Sequence, residues 1–162
     1  MTAKVSGYSY SVSATPTITA GAYSADDALG DEMVLDVGIA DDGKTDAFVI
    51  QSISVLDKAK QSIAFDLLFF SESVTPAADN AAADFTDADL ASYFLGHVSV
   101  ASGDYAALND NSVATVRNVG LQLKQESGGG DAKIYCYAVT RGAPTYASTS
   151  DLVINFDLAA DQ

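Results

Sequence analysis

From Leu152 to Leu158 the chain alternates without a break. Leu152, Ile154, Phe156 and Leu158 fall on one side, and Val153, Asn155 and Asp157 on the other. A period of two with one apolar face is the pattern of a strand that buries one side, and such a strand needs a sheet to sit in. Just upstream, Lys133-Ile-Tyr-Cys-Tyr-Ala-Val-Thr140 is apolar on both faces and rich in β-branched and aromatic residues, as a central strand is. The eleven residues between them, Arg141 to Asp151, are too many and too polar for a tight hairpin turn. They either cross between sheets or stand out as a projection.

The same periodicity recurs upstream. Tyr8, Tyr10, Val12 and Ala14 alternate with three serines, and Thr15 to Ala20 continues extended, with Pro16 suited to an edge or a strand start. Residues 1–14 read as an extended arm or an edge strand, and residues 15–162 as one domain. Met33, Leu35 and Val37 mark a short strand. Val49, Ile53 and Val55 mark one face of a longer strand, and Ile63, Phe65, Leu67 and Phe69 one face of the next, so that the two resemble a hairpin pair. A short helix over Lys58–Ser62 is an alternative for the link between them. One stretch reads clearly as helix: Thr86 or Asp87 can cap it, Asp89 sits in its first turn, and Leu90, Tyr93 and Phe94 share a face. Short strands follow at His97–Val100 and Tyr105–Leu108. Val119, Leu121 and Leu123 mark another, joined to Lys133–Thr140 by a glycine-rich tip at 128–130. About eight to ten short strands with one helix predict an all-β antiparallel sandwich, with a jelly roll as the leading arrangement.

Composition narrows what such a sandwich could do. Eight basic residues against 22 acidic ones give a net charge of −14, which opposes binding to nucleic acid and to anionic membranes. The N-terminal residues lack the apolar core of a signal peptide, and no run approaches the roughly 18 apolar residues of a membrane span. Cys136 is the only cysteine and lies in an apolar strand, which predicts an inert buried thiol and folding in a cytoplasm.

Catalytic signatures are sparse. His97 is the only histidine, so a triad would have to use it, and its place at a strand start reads as structural. Gly128–Gly130 lacks the lysine and the strand–helix setting of a phosphate loop. Acid pairs at Asp26/Asp27, Asp41/Asp42 and Asp87/Asp89 could in principle cleave a glycoside or hold calcium, yet none has the spacing of a calcium-binding loop. Tyr23, Tyr105 and Tyr146 could stack on a sugar, though the chain has no tryptophan. No enzyme, metal or cofactor is expected. The best contact candidates are Tyr8, Tyr10 and Val12 on the alternating first segment and Arg141, Pro144 and Tyr146 in the long loop. For Arg141 a second reading stays open, in which it pairs with a nearby acid such as Asp151 and only holds the loop.

Five stretches together resemble a known group: Thr15 to Ala25, Val49-Ile-Gln-Ser-Ile with Asp57-Lys-Ala-Lys-Gln, Asp66-Leu-Leu-Phe-Phe-Ser71, Tyr137-Ala-Val-Thr-Arg-Gly-Ala-Pro-Thr-Tyr146, and Ser150-Asp-Leu152. The pattern is similar to small virion proteins of tailed bacteriophages that decorate or cement the head. It covers most of the chain from Thr15 to Leu158 but contains no catalytic motif. The resemblance implies a β-sandwich made in the host bacterial cytoplasm that forms a homo-oligomer, a trimer, and binds the major capsid protein on the outer surface of the head. Two alternatives remain open, a tail, neck or baseplate component and a carbohydrate-binding module or glycosidase.

Overall fold

The strands pair in the nested order of one long antiparallel ribbon folded back on itself. The computed structural model of the protein describes residues 8–36, 47–124 and 133–160. Its strands are β1 (Tyr8–Ala14), β2 (Met33–Asp36), β3 (Ala47–Asp57), β4 (Phe65–Phe70), β5 (Phe94–Val100), β6 (Tyr105–Ala107), β7 (Ser112–Lys124), β8 (Lys133–Thr140) and β9 (Leu152–Ala160), with one helix, α1 (Asp87–Tyr93). β1 pairs with β9, β2 with β8, β3 with β7 and β4 with β5, all antiparallel. The ribbon then rolls up, so that β3 also pairs with β9 and β4 with β8. Two sheets result, β1-β9-β3-β7-β6 and β2-β8-β4-β5. Nested pairs wrapped into two facing sheets make a jelly roll. The all-β sandwich with one short helix expected from the sequence is the fold observed.

The core lies between the sheets and is built by alternation. Leu152, Ile154, Phe156 and Leu158 of β9 are all buried, as their spacing predicts. Opposite them, Phe65, Leu67 and Phe69 of β4 and Ile134, Cys136 and Ala138 of β8 point inward. Phe69 meets Phe156 edge to face, with ring centres 6.0 Å apart. Such pairs add to burial because a ring edge is electropositive and its face electronegative. Both β4 and β8 are apolar on their outer face as well, because a second, smaller cluster of Phe70, Val74 and Tyr137 is buried there beneath the β4–β5 connection.

Two expectations change. On β3 the buried residues are Phe48, Ile50, Ile53 and Val55, and Val49 is only half-buried. The register against both neighbours shifts between Ile50 and Ser52: Gln51 is one extra residue against β9, whereas on the β7 side residues 118–120 stand opposite it. A β-bulge moves the alternation by one, which puts Val49 and Ile53 on opposite faces. Across from the bulge, Asn118 and Gly120 of β7 take up left-handed backbone, at φ 55° and 64°.

Secondly, β3 and β4 are not a hairpin, since they belong to different sheets. The link between them arches across the sandwich instead of forming a helix. Asp57, itself buried, fixes the arch by accepting the Ala59 and Ser62 backbone N–H groups at 3.1 and 2.7 Å. β7 and β8 likewise lie in different sheets, and the glycine-rich tip and Val37 fall outside the described residues. Of the two readings of the first segment, an extended arm or an edge strand, Tyr8–Ala14 takes the second, as β1 paired along its length with β9 of its own chain.

Because Phe156 is wholly buried at the meeting point of the sheets, Phe156→Ala is expected to lower the unfolding free energy by about 3–5 kcal/mol, removing transfer energy and leaving a cavity. The exposed Thr115→Ala change should shift it by less than about 0.5 kcal/mol. Urea denaturation of the two variants beside the parent checks this.

Candidate functional site

The residues with chemical potential are scattered. His97 is exposed on β5, and Cys136 is wholly buried, with burial pushing its thiol well above the ordinary range. Among the described residues no three or more His, Cys, Asp or Glu side chains are placed to hold a metal ion. No helix among them is long and apolar enough to cross a membrane. A shallow depression of about 290 Å³ lies between Gly30, Glu32, Val74, Phe85 and Tyr137. The Tyr137 hydroxyl, kept protonated chiefly by burial and then by its bond to Glu32, also receives the Val74 N–H at 3.0 Å there. This arrangement pins the β4–β5 connection onto the sheet.

The Arg141–Asp151 loop crosses from one sheet to the other and does not project. Pro144 and Tyr146 are buried, with Tyr146 only 2% exposed, so neither offers apolar area to a partner. Tyr146 packs edge to face on Tyr23 with ring centres 6.0 Å apart. The Tyr23 N–H donates to the Pro144 carbonyl at 2.9 Å, and the Tyr146 N–H to Gly21 at 3.0 Å. The apolar residues of the loop serve its own anchoring.

Arg141 does stand at the surface, between two carboxylates. Its Nε donates to Asp66 Oδ2 at 2.7 Å, its Nη2 forms an ion pair with the same oxygen at 2.7 Å, and its Nη1 donates to Asp26. Asp151 is not its partner; that carboxylate accepts the Ala147 and Ser148 N–H groups and closes the loop locally. Burial alone would raise the Asp66 pKa, but hydrogen bonds from Ser99 and Arg141 outweigh it and hold the carboxyl below its ordinary 3.8. Arg141 ties three segments together, the 19–29 loop, β4 and the end of β8.

Of the first-segment candidates, Tyr8, Tyr10 and Val12 stand in register with Ala160, Leu158 and Phe156 of β9. Val12 is half-buried against its own core. That part of the apolar stripe is therefore used at home.

An exposed apolar surface lies elsewhere, on the helix face that Leu90, Tyr93 and Phe94 share. α1 has no buried residue, and Leu90, Tyr93 and Phe94 are 37%, 38% and 38% exposed. The helix is held from its ends. Thr86 Oγ1 accepts the Asp89 N–H at 3.1 Å, and the Tyr93 carbonyl accepts the Ser71 N–H at 2.9 Å. Phe94 leans its ring on buried Phe70, 5.6 Å between centres. Pairing carries this strip across the four-stranded sheet, from Phe94 to Phe70, Tyr135 and exposed Val34. Two segments apolar on both faces, 67–70 and 134–139, were the sequence signal for this second packed surface.

No protein-family model matches the sequence, and no curated protein matches it. Among solved structures, the chain is similar to one in the X-ray crystal structure of tomato aspermy virus, at 11% identity over 100% of this chain and 81% of that one, with a TM-score of 0.44. It is also similar to a chain of the native virion of Kashmir bee virus at neutral pH, at 13% identity over 93% and 68%, with a TM-score of 0.30. Both scores are below 0.5.

Arg141→Met is expected to destabilise the protein by about 1 kcal/mol at neutral pH, the scale of a partly exposed ion pair. Asp66 has a depressed folded pKa, so its contribution is present above the ordinary value of 3.8 and is lost as the pH falls below it. The stability gap between parent and variant should therefore close under acid conditions. Urea midpoints across a pH series measure it.

Proposed function

We propose that the protein is a structural component of a tailed-bacteriophage virion, a head decoration or cement protein that binds the major capsid protein on the outer surface of the head. The observation that carries this is the apolar patch of Leu90, Tyr93 and Phe94 on a jelly roll of net charge −14. Exposed apolar area of this kind marks a contact surface for another protein. Aromatic residues supply much of the energy of such contacts. The sequence resemblance to phage head proteins supports the same reading, and the jelly roll is an architecture used for capsid domains among others. The acidic charge suits a protein outside a DNA-filled shell, repelled by nucleic acid and kept from non-specific association. The protein acts by binding and not by catalysis, as a homo-oligomer that bridges neighbouring capsid subunits.

Arg141 takes an internal part in this reading. It holds the β8–β9 crossing in place, and the patch on α1 and β5 does the docking.

The test is co-sedimentation with purified virion parts. The parent should travel with DNA-filled heads and sediment alone as a species larger than 16.7 kDa. Leu90→Ser with Tyr93→Ser should keep the circular dichroism spectrum and lose about tenfold or more in head binding. Retention equal to the parent's would rule the patch out. Recovery with tails in place of heads would point to a tail, neck or baseplate component, and binding of the isolated protein to a sugar resin to a carbohydrate-binding module.

A further inference from the structure

We infer that two copies of this chain join through their β1 edges, pairing antiparallel so that their five-stranded sheets run together as one sheet of ten (5 + 5). β1 lies at the end of its sheet, and among the described residues no strand pairs with its outer side. In an antiparallel ladder every second residue turns its N–H and C=O away from its neighbour, so an edge strand presents a row of unmade hydrogen bonds.

Sheet edges in soluble proteins are normally guarded by brevity, charge, proline or a bulge. The other three edges here have such guards. β2 has four residues and ends in Asp36, β6 has three, and β5 is broken by a register shift opposite Phe69 and Phe70. β1 has none of them. It runs for seven residues, Tyr-Ser-Tyr-Ser-Val-Ser-Ala, with no charge and no proline, and its register with β9 has no irregularity. In a chain with 22 acidic residues, a bare edge of this length stands apart.

The complement of such an edge is another extended strand, and β1 complements itself. A two-fold axis through Ser11, the middle of the strand, sets Ser11 opposite Ser11, Ser9 opposite Ser13 and Tyr10 opposite Val12, and it engages all seven residues of both copies. An isologous contact of this kind needs nothing from a second protein. Opposite Ser11 on β9 stands Asp157, whose carboxylate the Ser11 and Ser52 hydroxyls hold in place. The two Asp157 positions would lie three strand spacings apart, about 14 Å. That exceeds the screening length of about 8 Å at physiological ionic strength, so the acidic charge does not forbid the pairing.

The contact is separate from the α1 patch and can stand or fall without it. Cysteine substitution tests it, since the native Cys136 is wholly buried and leaves a silent background. Directly opposed residues in an antiparallel pair have Cα atoms about 4.5–5.5 Å apart, inside the range a disulfide spans. Ser11→Cys should give a disulfide-linked dimer in a glutathione redox buffer. Ser9→Cys alone should not, whereas an equal mixture of Ser9→Cys and Ser13→Cys chains should. The exposed Thr115→Cys serves as the collision control. A second variant, Ser9→Lys with Ser13→Lys, moves the net charge from −14 to −12 (−14 + 2) and so eases general repulsion, yet sets lysines against each other across the proposed axis. Its self-association in a sedimentation series should weaken about tenfold. Three outcomes would each overturn the inference: a folded Ser11→Cys protein that cross-links no more than Thr115→Cys, a lysine variant that associates as well as the parent, or a parent that stays monomeric at its highest soluble concentration.

Discussion

The fold depends on β9 more than on any other strand. It pairs with β1 on one side and β3 on the other, and its four large apolar residues supply the inner face against which the second sheet closes. Because β1 is the first strand and β9 the last, this pairing brings the two ends of the described chain together. Closing so long a loop costs only slightly more than closing a shorter one, since the entropy grows with the logarithm of length. The cost to folding rate is larger, because contacts this distant in sequence form late and slowly. The nested ribbon eases the problem. β4 and β5 at its tip are the closest of the nested pairs in sequence, and each pair formed brings the next one nearer.

Local periodicity made most of this legible. The inward residues of β9 and β4 follow from spacing alone, as does the Thr86 cap of α1. Wherever the reading failed, the deciding information was not local. One extra residue at Gln51, counted against β9, inverts the face of Val49, and nothing in the side chains around it signals a bulge. An arch between sheets and a hairpin within one have the same signature of two alternating runs and a polar link, so β3–β4 was indistinguishable from a pair. Pro144 and Tyr146 looked available because their loop is polar overall, yet Tyr23 and the backbone of Gly21 receive them. Leu90, Tyr93 and Phe94 were legible as a shared face, but what covers that face was not. An amphipathic spacing marks a face that needs cover, and here the cover is not the chain's own core.

The acidic composition also proves more specific than a device for solubility. Asp57 accepts two backbone N–H groups in the β3–β4 arch, and Asp151 accepts two in the β8–β9 crossing. Asp27 and Asp104 each accept one three residues before them, from Ser24 and Ala101. Asp79 gathers Gly30 N–H, the Tyr23 hydroxyl and the Thr19 hydroxyl, which joins the β4–β5 connection to the N-terminal loop. Short acidic side chains suit this work because they reach back to nearby N–H groups and leave no donor unsatisfied at a turn. Among the acid pairs that raised the prospect of hydrolysis or calcium binding, Asp26, Asp27 and Asp89 also have partners already, in Arg141, the Ser24 N–H and the Thr86 hydroxyl. A jelly roll whose many crossings must each be fixed between sheets has a standing use for them.

Jelly rolls carry unrelated functions, so the role of this one has to come from its surfaces. The two surfaces that stand out are placed so that one copy can use both. β1 packs near β2 at one flank of the sandwich, and β5 packs near β7 at the other. α1 leads directly into β5, so the apolar patch and the unguarded β1 edge occupy opposite flanks. A contact at one leaves the other open. Edge pairing is directional and made of backbone hydrogen bonds, which suits a like partner in fixed register. The α1 patch is apolar and small, which suits docking onto a preformed surface. With the docking and the edge pairing proposed above, the chain would join its own kind on one side and a larger assembly on the other, which is the layout of a fastener.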